Sequence, residues 1–188
     1  MRLAIGLIGL VALPAAAQVP SAERQIEWAV QAAPEKMRAD ATVLGYGSDG
    51  KLGTLRAGAG DLICLADDPV KPNHHVACYH RVLEAFMARG RELRAQGLKE
   101  LAIDSVRALE IKAGSLKMPA QPAMLYQIIA DPGNADPVSG EVKNSRALYV
   151  MYIPYATSET TGLSLAPAKG RPWLMEPGLP WAHVMISP

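Results

Sequence analysis

The run from Cys64 to Gly97, CLADDPVKPNHHVACYHRVLEAFMARGRELRAQG, constrains the fold most. It holds both cysteines and three of the four histidines of the chain. Tyr79, Leu83, Phe86, Gly90, Leu93 and Gly97 recur at alternating spacings of four and three, with Val82 and Met87 widening the stripe. That is the period of a helix burying one face, and it predicts a central helix from Val76 to Gln96. Asn73 is placed to cap its start, and Gly97 suits the left-handed residue that ends a helix. Arg81, Glu84, Arg89, Glu92 and Gln96 fall on the outer side. Gly90 costs a helix about 1 kcal/mol relative to Ala, and its place in the stripe predicts close approach of another backbone.

The start of the chain bears on the cysteines. Arg2, the apolar run Leu3 to Leu13 and Pro14-Ala15-Ala16-Ala17 have the layout of a cleaved export signal, residues 1–17. The apolar run is too short to span a bilayer. Gln18 is then the first mature residue, and 18–188 suits one domain, periplasmic or extracellular, with no membrane insertion. Without Arg2 the basic and acidic residues balance at 18 each. Such a balance gives no electrostatic reason to expect a nucleic-acid partner. In an oxidising compartment an even cysteine count favours a disulfide, and Cys64–Cys78 is the pairing available. It is expected to tie the end of a strand to the first turn of the central helix.

Along the chain, Ser21 can cap a short helix bearing Ile26, Ala29, Val30 and Ala33 on one side, with Trp28 packed on the domain. ATVLGYG and LGTLR flank an Asp49-Gly50 turn and read as a hairpin. Residues 61–65 read as a third strand. A second helix is expected over 98–109, with Leu98, Leu101, Ala102, Val106 and Leu109 on its apolar side. Strands follow at 123–130 and 147–155, separated by a polar loop, and 181–186 reads as a closing strand. Strands and helices do not alternate regularly. A single α+β domain with a mostly antiparallel sheet packed on the central helix therefore fits best.

Candidates for chemistry are few. His74, His75, Cys78 and His80 offer imidazole and thiolate, which suit zinc and copper. On a helix His74 and Cys78 would share a face, whereas His75 and His80 would not. A disulfide removes Cys78 from the set, and the default reading is histidines exposed around a helix start. His183 and Met185, with Met151 and Met175, suggest copper, although Met185 reads more simply as core. Asp131, Asn134, Asp136, Ser139 and Glu141 supply oxygen ligands without the spacing of an EF-hand. GxSxG does not occur, and no Gly-rich loop opens a helix as a phosphate site requires. No catalytic residue and no cofactor are assigned.

ICLADDP, HVACYH, FMARGRELRAQG, LKMPAQPAMLY and MEPGLPWAHVMI, in that order behind an export signal, resemble a group of uncharacterised exported bacterial proteins. The resemblance implies export and a single domain, and brings no functional residues with it. Two readings follow. One is a non-enzymatic domain that binds a small molecule or an envelope protein, with Tyr126, Tyr149, Tyr152, Tyr155, Trp173 and Trp181 available to line a pocket. The other is a hydrolytic or metal-dependent enzyme joining His183 or His80 to Asp67, Asp68 or Glu176.

Overall fold

The computed structural model describes residues 19–188. The expected export signal and Gln18 lie outside them. In chain order the elements are α1 (Ala22–Gln31), β1 (Thr42–Tyr46), β2 (Leu52–Arg56), β3 (Leu62–Leu65), β4 (His74–His80), α2 (Glu84–Ala95), α3 (Glu100–Lys112), β5 (Ala123–Ala130), β6 (Arg146–Tyr152), α4 (Ser158–Thr161), β7 (Trp173–Met175) and β8 (His183–Ile186). Among the described residues one eight-stranded sheet runs in the order β2-β1-β3-β4-β5-β6-β8-β7. Only β1 and β3 run parallel; every other neighbouring pair is antiparallel. This is the expected α+β domain with a mostly antiparallel sheet.

Helices cover both faces of the sheet. On one, Trp28 and Ala29 of α1 pack with Val43, Leu62, Cys64, Val76 and Cys78. On the other, Leu83 and Met87 join Ile63, Tyr79, Leu125 and Val150, and Phe86 joins Leu116 and Trp181. Ser21 caps α1, its side chain accepting from Arg24 N. The buried face of α1 also includes Gln25. The Gln25 side-chain amide donates to Tyr46 O at 2.9 Å and accepts from Tyr46 N at 2.7 Å. A side chain thus completes backbone pairing at the end of β1, and that explains a buried glutamine.

The central helix is shorter than its periodicity predicts. Residues 74–80 form β4, a 3₁₀ turn spans Arg81–Leu83, and the α-helix starts at Glu84. β4 is paired on both edges, by β3 and β5, and covered on both faces. Its residues from Val76 to Tyr79 are all buried. A strand buried on both sides loses the alternation that identifies strands, so its apolar run merges with a following helical stripe. The capping role expected of Asn73 belongs to His80, whose Nδ1 accepts from Val82 N at 3.2 Å. At the other end the expectation holds. Gly97 has φ +90°, with Gly97 N donating to Arg94 O and Leu98 N to Leu93 O, the two bonds of a Schellman ending.

Gly90 makes room for a cation instead of a backbone. A Cβ there would lie 1.7 Å from Nη2 of Arg107. That guanidinium sits 4.0 Å over the Phe86 ring and donates to Phe86 O at 2.9 Å. Arg107 comes from the inner face of α3, where Ile103 is the buried apolar residue. Arg89 of α2 holds Glu110 of α3 through a 2.6 Å contact. The apolar side expected of this helix is therefore turned outward, leaving Leu101 and Leu109 exposed. Stacked and paired charges occupy its inner side.

Glu84 also departs from its expected outward role. Its carboxylate accepts from the buried Tyr79 hydroxyl and from Arg91 Nη2 at 2.8 Å, while Arg91 Nη1 donates to Tyr79 Oη at 2.9 Å. Glu84→Ala leaves a buried phenol without its acceptor and frees Arg91. We expect it to cost about 1–3 kcal/mol, where a solvated helix position would cost a few tenths. Urea denaturation of the variant beside Glu92→Ala checks this, and equal midpoints would refute it.

Candidate functional site

The side-chain chemistry of the domain gathers around the loop joining β3 to β4. Asp67 is its pivot. Oδ1 accepts from His75 N at 2.8 Å, and Oδ2 lies 3.3 Å from Nδ1 of His74. Successive residues of a strand point to opposite faces. Hence His74 enters the α1 side of the sheet and His75 the α2 side, and the loop borders a cleft on each.

The cleft on the α2 side has a volume of about 460 Å³. Leu65, Ala66 and Ala77 supply apolar surface at the ends of the central strands, extended by Leu52 of β2. Ala77 is opposite Leu65 on β3 and Gln127 on β5. Being small, it leaves space between His75 and Tyr79 on the same face. Arg91 and Arg94, three apart on α2, form one wall, and Asp67, Asp68 and Lys71 of the loop form another.

These polar groups differ in how firmly they are held. Arg91 is fixed by Glu84 and Tyr79. Arg94 Nη2 donates to Glu100 at 2.8 Å, in a pair whose members are 48% and 74% exposed. That contact holds the Glu100 carboxyl below the usual carboxylate range. Asp68 meets Lys71 only at 4.0 Å. His75 Nε2 lies 2.9 Å from Gln127 Oε1. Burial, with Asp68 and Asp67 nearby, pushes the Tyr46 phenol up to about 12.

Burial likewise pushes Tyr152 up to about 12, on the same face. Both phenols keep their protons in the fold at a pH where an ordinary phenol, near 10, has lost its own. Their contribution to stability is therefore complete below about pH 10 and is lost as pH rises from about 10 towards about 12. Burial and the Glu84 contact push the Tyr79 phenol up as well, so a phenolate absorbance titration should show these three late, with loss of near-ultraviolet circular dichroism. Simple titration of all six tyrosines near 10 with the fold intact would contradict it.

The cleft on the α1 side is smaller, about 170 Å³, and is lined by Gln25, Trp28, Asp67, Lys71, His74 and Asp131 among others. His74 is buried, with the Trp28 ring edge-on at 5.0 Å. Its Nδ1 is near Asp67 but not aligned for a hydrogen bond, and has no other partner among the described residues. A third hollow of about 450 Å³ lies between the end of α3 and the segment after β6. Its lining is mainly Pro119, Pro122, Pro154 and other apolar groups, with Lys117 and Tyr155 as its polar side chains, and it lacks the charges of both signs that line the α2-side cleft.

The structure disperses the other candidate residues. His80 is occupied at the start of the 3₁₀ turn. His183 Nδ1 lies 2.9 Å from Trp181 O, and its ring meets Tyr152 at 5.3 Å. Among the described residues neither makes a hydrogen bond to a carboxylate, and the expected pairing with Asp67, Asp68 or Glu176 is not formed. Met185 packs against the Tyr79 cluster. Met151 pairs with Val184 and Met175 with His183, which places Met151 on the opposite face from His183 and Met185. Cys64 and Cys78 form the disulfide, between directly opposed residues of β3 and β4 and not from strand to helix. Asp136 accepts from Ser139 and Val138 N, while Asp131 and Glu141 face Arg146 and Lys143. Among the described residues no group of three or more His, Cys, Asp and Glu side chains is arranged to hold a metal.

The α2-side cleft has little signature in the sequence. Arg91 and Arg94 read as an ordinary solvated helix face, and only the fold brings them opposite Asp68. Comparison with protein-family models, with curated proteins and with solved structures finds no match.

Proposed function

We propose that this chain is an exported, disulfide-braced domain that binds a small organic molecule, without covalent chemistry, in the cleft between the β3–β4 loop and α2. The observation that carries this is the cleft itself: about 460 Å³ of space with apolar surface and polar groups on facing walls, the composition of a small-molecule site. Export is supported by the layout of residues 1–17 and by a buried disulfide, which suits an oxidising compartment. N-terminal sequencing of the product from outside the cytoplasm should start at Gln18; a product starting at Met1 would refute export. Binding is tested by amide chemical-shift mapping with a library of small polar and apolar fragments. Fragments should perturb Ala66, Ala77 and Arg94 together. Perturbations confined to other surfaces would refute the cleft reading.

A second reading, an acid–base enzyme, rests on the buried His74 beside Asp67. A carboxylate hydrogen-bonded to a histidine orients it in many proton-transfer sites, and here the two groups lie 3.3 Å apart without that alignment. A hydrolase screen in which His74→Gln abolishes a turnover seen in the native protein would place this reading ahead.

A further inference from the structure

We infer that the ligand of the α2-side cleft is a zwitterion with an apolar body, of the size of a free dipeptide with aliphatic side chains; this rests on the cleft being the binding site. The rim carries Lys71, Arg91 and Arg94 against Asp67, Asp68 and Glu100. This balance gives no field favouring a ligand of one sign, such as a nucleotide or a polyamine. The charges open to exchange lie on different walls. On the helix wall, Arg94 is tied among the described residues through Nη2 alone, to the well-exposed Glu100, so its guanidinium keeps donors for a carboxylate. On the loop wall, Asp68 Oδ1 accepts from Val70 N, while among the described residues Oδ2 has only the Lys71 ammonium at 4.0 Å. That oxygen is available to an ammonium group. Leu65, Ala66 and Ala77 lie among the lining residues and offer an apolar body a surface on which it loses no hydrogen bond to water. A volume of about 460 Å³ is at the smaller end of ligand sites, as a dipeptide requires.

The test titrates the purified mature protein calorimetrically with leucyl-leucine, N-acetyl-leucyl-leucine, leucyl-leucinamide and N-acetyl-leucinamide. The free dipeptide should bind at least about tenfold more tightly than either singly charged analogue, since each lacks one charge-assisted contact. Arg94→Gln should weaken the dipeptide and the acetylated acid and leave the amide unchanged. Asp68→Asn should weaken the dipeptide and the amide and leave the acetylated acid unchanged. Both residues are exposed or partly exposed, and circular dichroism of each variant confirms that it folds. If the singly charged or neutral analogues bind the cleft as well as the dipeptide, the zwitterion inference is overturned while the cleft reading stands. If none of the four perturbs the cleft while other fragments do, the ligand class is again overturned. If nothing perturbs it, both fall.

Discussion

Phe86→Ala is expected to be among the most destabilising single substitutions in the domain, at about 3–5 kcal/mol. Phe86 is the only phenylalanine in the chain, and three other parts of the fold meet on its ring. The Trp181 ring stacks on it at 6.1 Å, Tyr152 meets it edge-on at 6.2 Å, and the Arg107 guanidinium covers it at 4.0 Å. Truncation removes buried surface, opens a cavity between α2 and the closing segment, and strips the Arg107 cation of the face on which it was desolvated. A domain of this size has about 5–15 kcal/mol of stability, so the variant should lose a large part of its unfolding midpoint. Equilibrium denaturation reads the change, with Glu92→Ala, on an exposed part of α2, as the reference. A cost under about 1 kcal/mol would mean that the α2–α3 layer is not packed as described.

Removal of the disulfide is the second large effect. Cys64 and Cys78 are both fully buried, in the layer under α1. Closing a loop of about 15 residues is worth on the order of 3 kcal/mol in the chain-entropy account. Reduction of the native protein, or Cys64→Ala with Cys78→Ala, should lower its unfolding free energy by about that amount. The ring so closed contains Asp67, Asp68 and Lys71, the loop wall of the cleft. Loss of stability should therefore be accompanied by weaker binding there. Mass mapping under non-reducing conditions that returned two alkylated thiols would remove the bond from this account.

The legible parts of the chain were those whose burial is one-sided or whose turns are marked. The hairpin around Asp49-Gly50, the β5 and β6 strands and the capped start of α1 all announce themselves in this way. The illegible parts share a physical cause. β4 is buried on both faces and mimics the start of a helix. The inner face of α3 carries Arg107 and Glu110, whose partners Phe86 and Arg89 are 21 residues away in sequence. A charge satisfied at that distance cannot be told from one satisfied by water. The same holds for Gln25, buried because it pairs with Tyr46, and for the facing walls of Arg94 and Asp68. Histidines and methionines carry the ligand chemistry visible in the sequence, yet the candidate cleft is built chiefly from residues that look like surface.

The two outer strands of the sheet give the domain unequal flanks. β7 offers three residues, with Pro172 just before it and Pro177 close behind. Proline has no N–H to donate, so another strand laid along that flank finds a short and interrupted ladder. β2, paired among the described residues only with β1, presents five, bounded by Lys51 and ending in Arg56. Its exposed first half includes Leu52, a lining residue of the cleft. Lateral growth of this sheet is thus blocked at one end and resisted only by charge at the other. Any association of these molecules by strand pairing is therefore expected along β2, whose Leu52 lines the cleft.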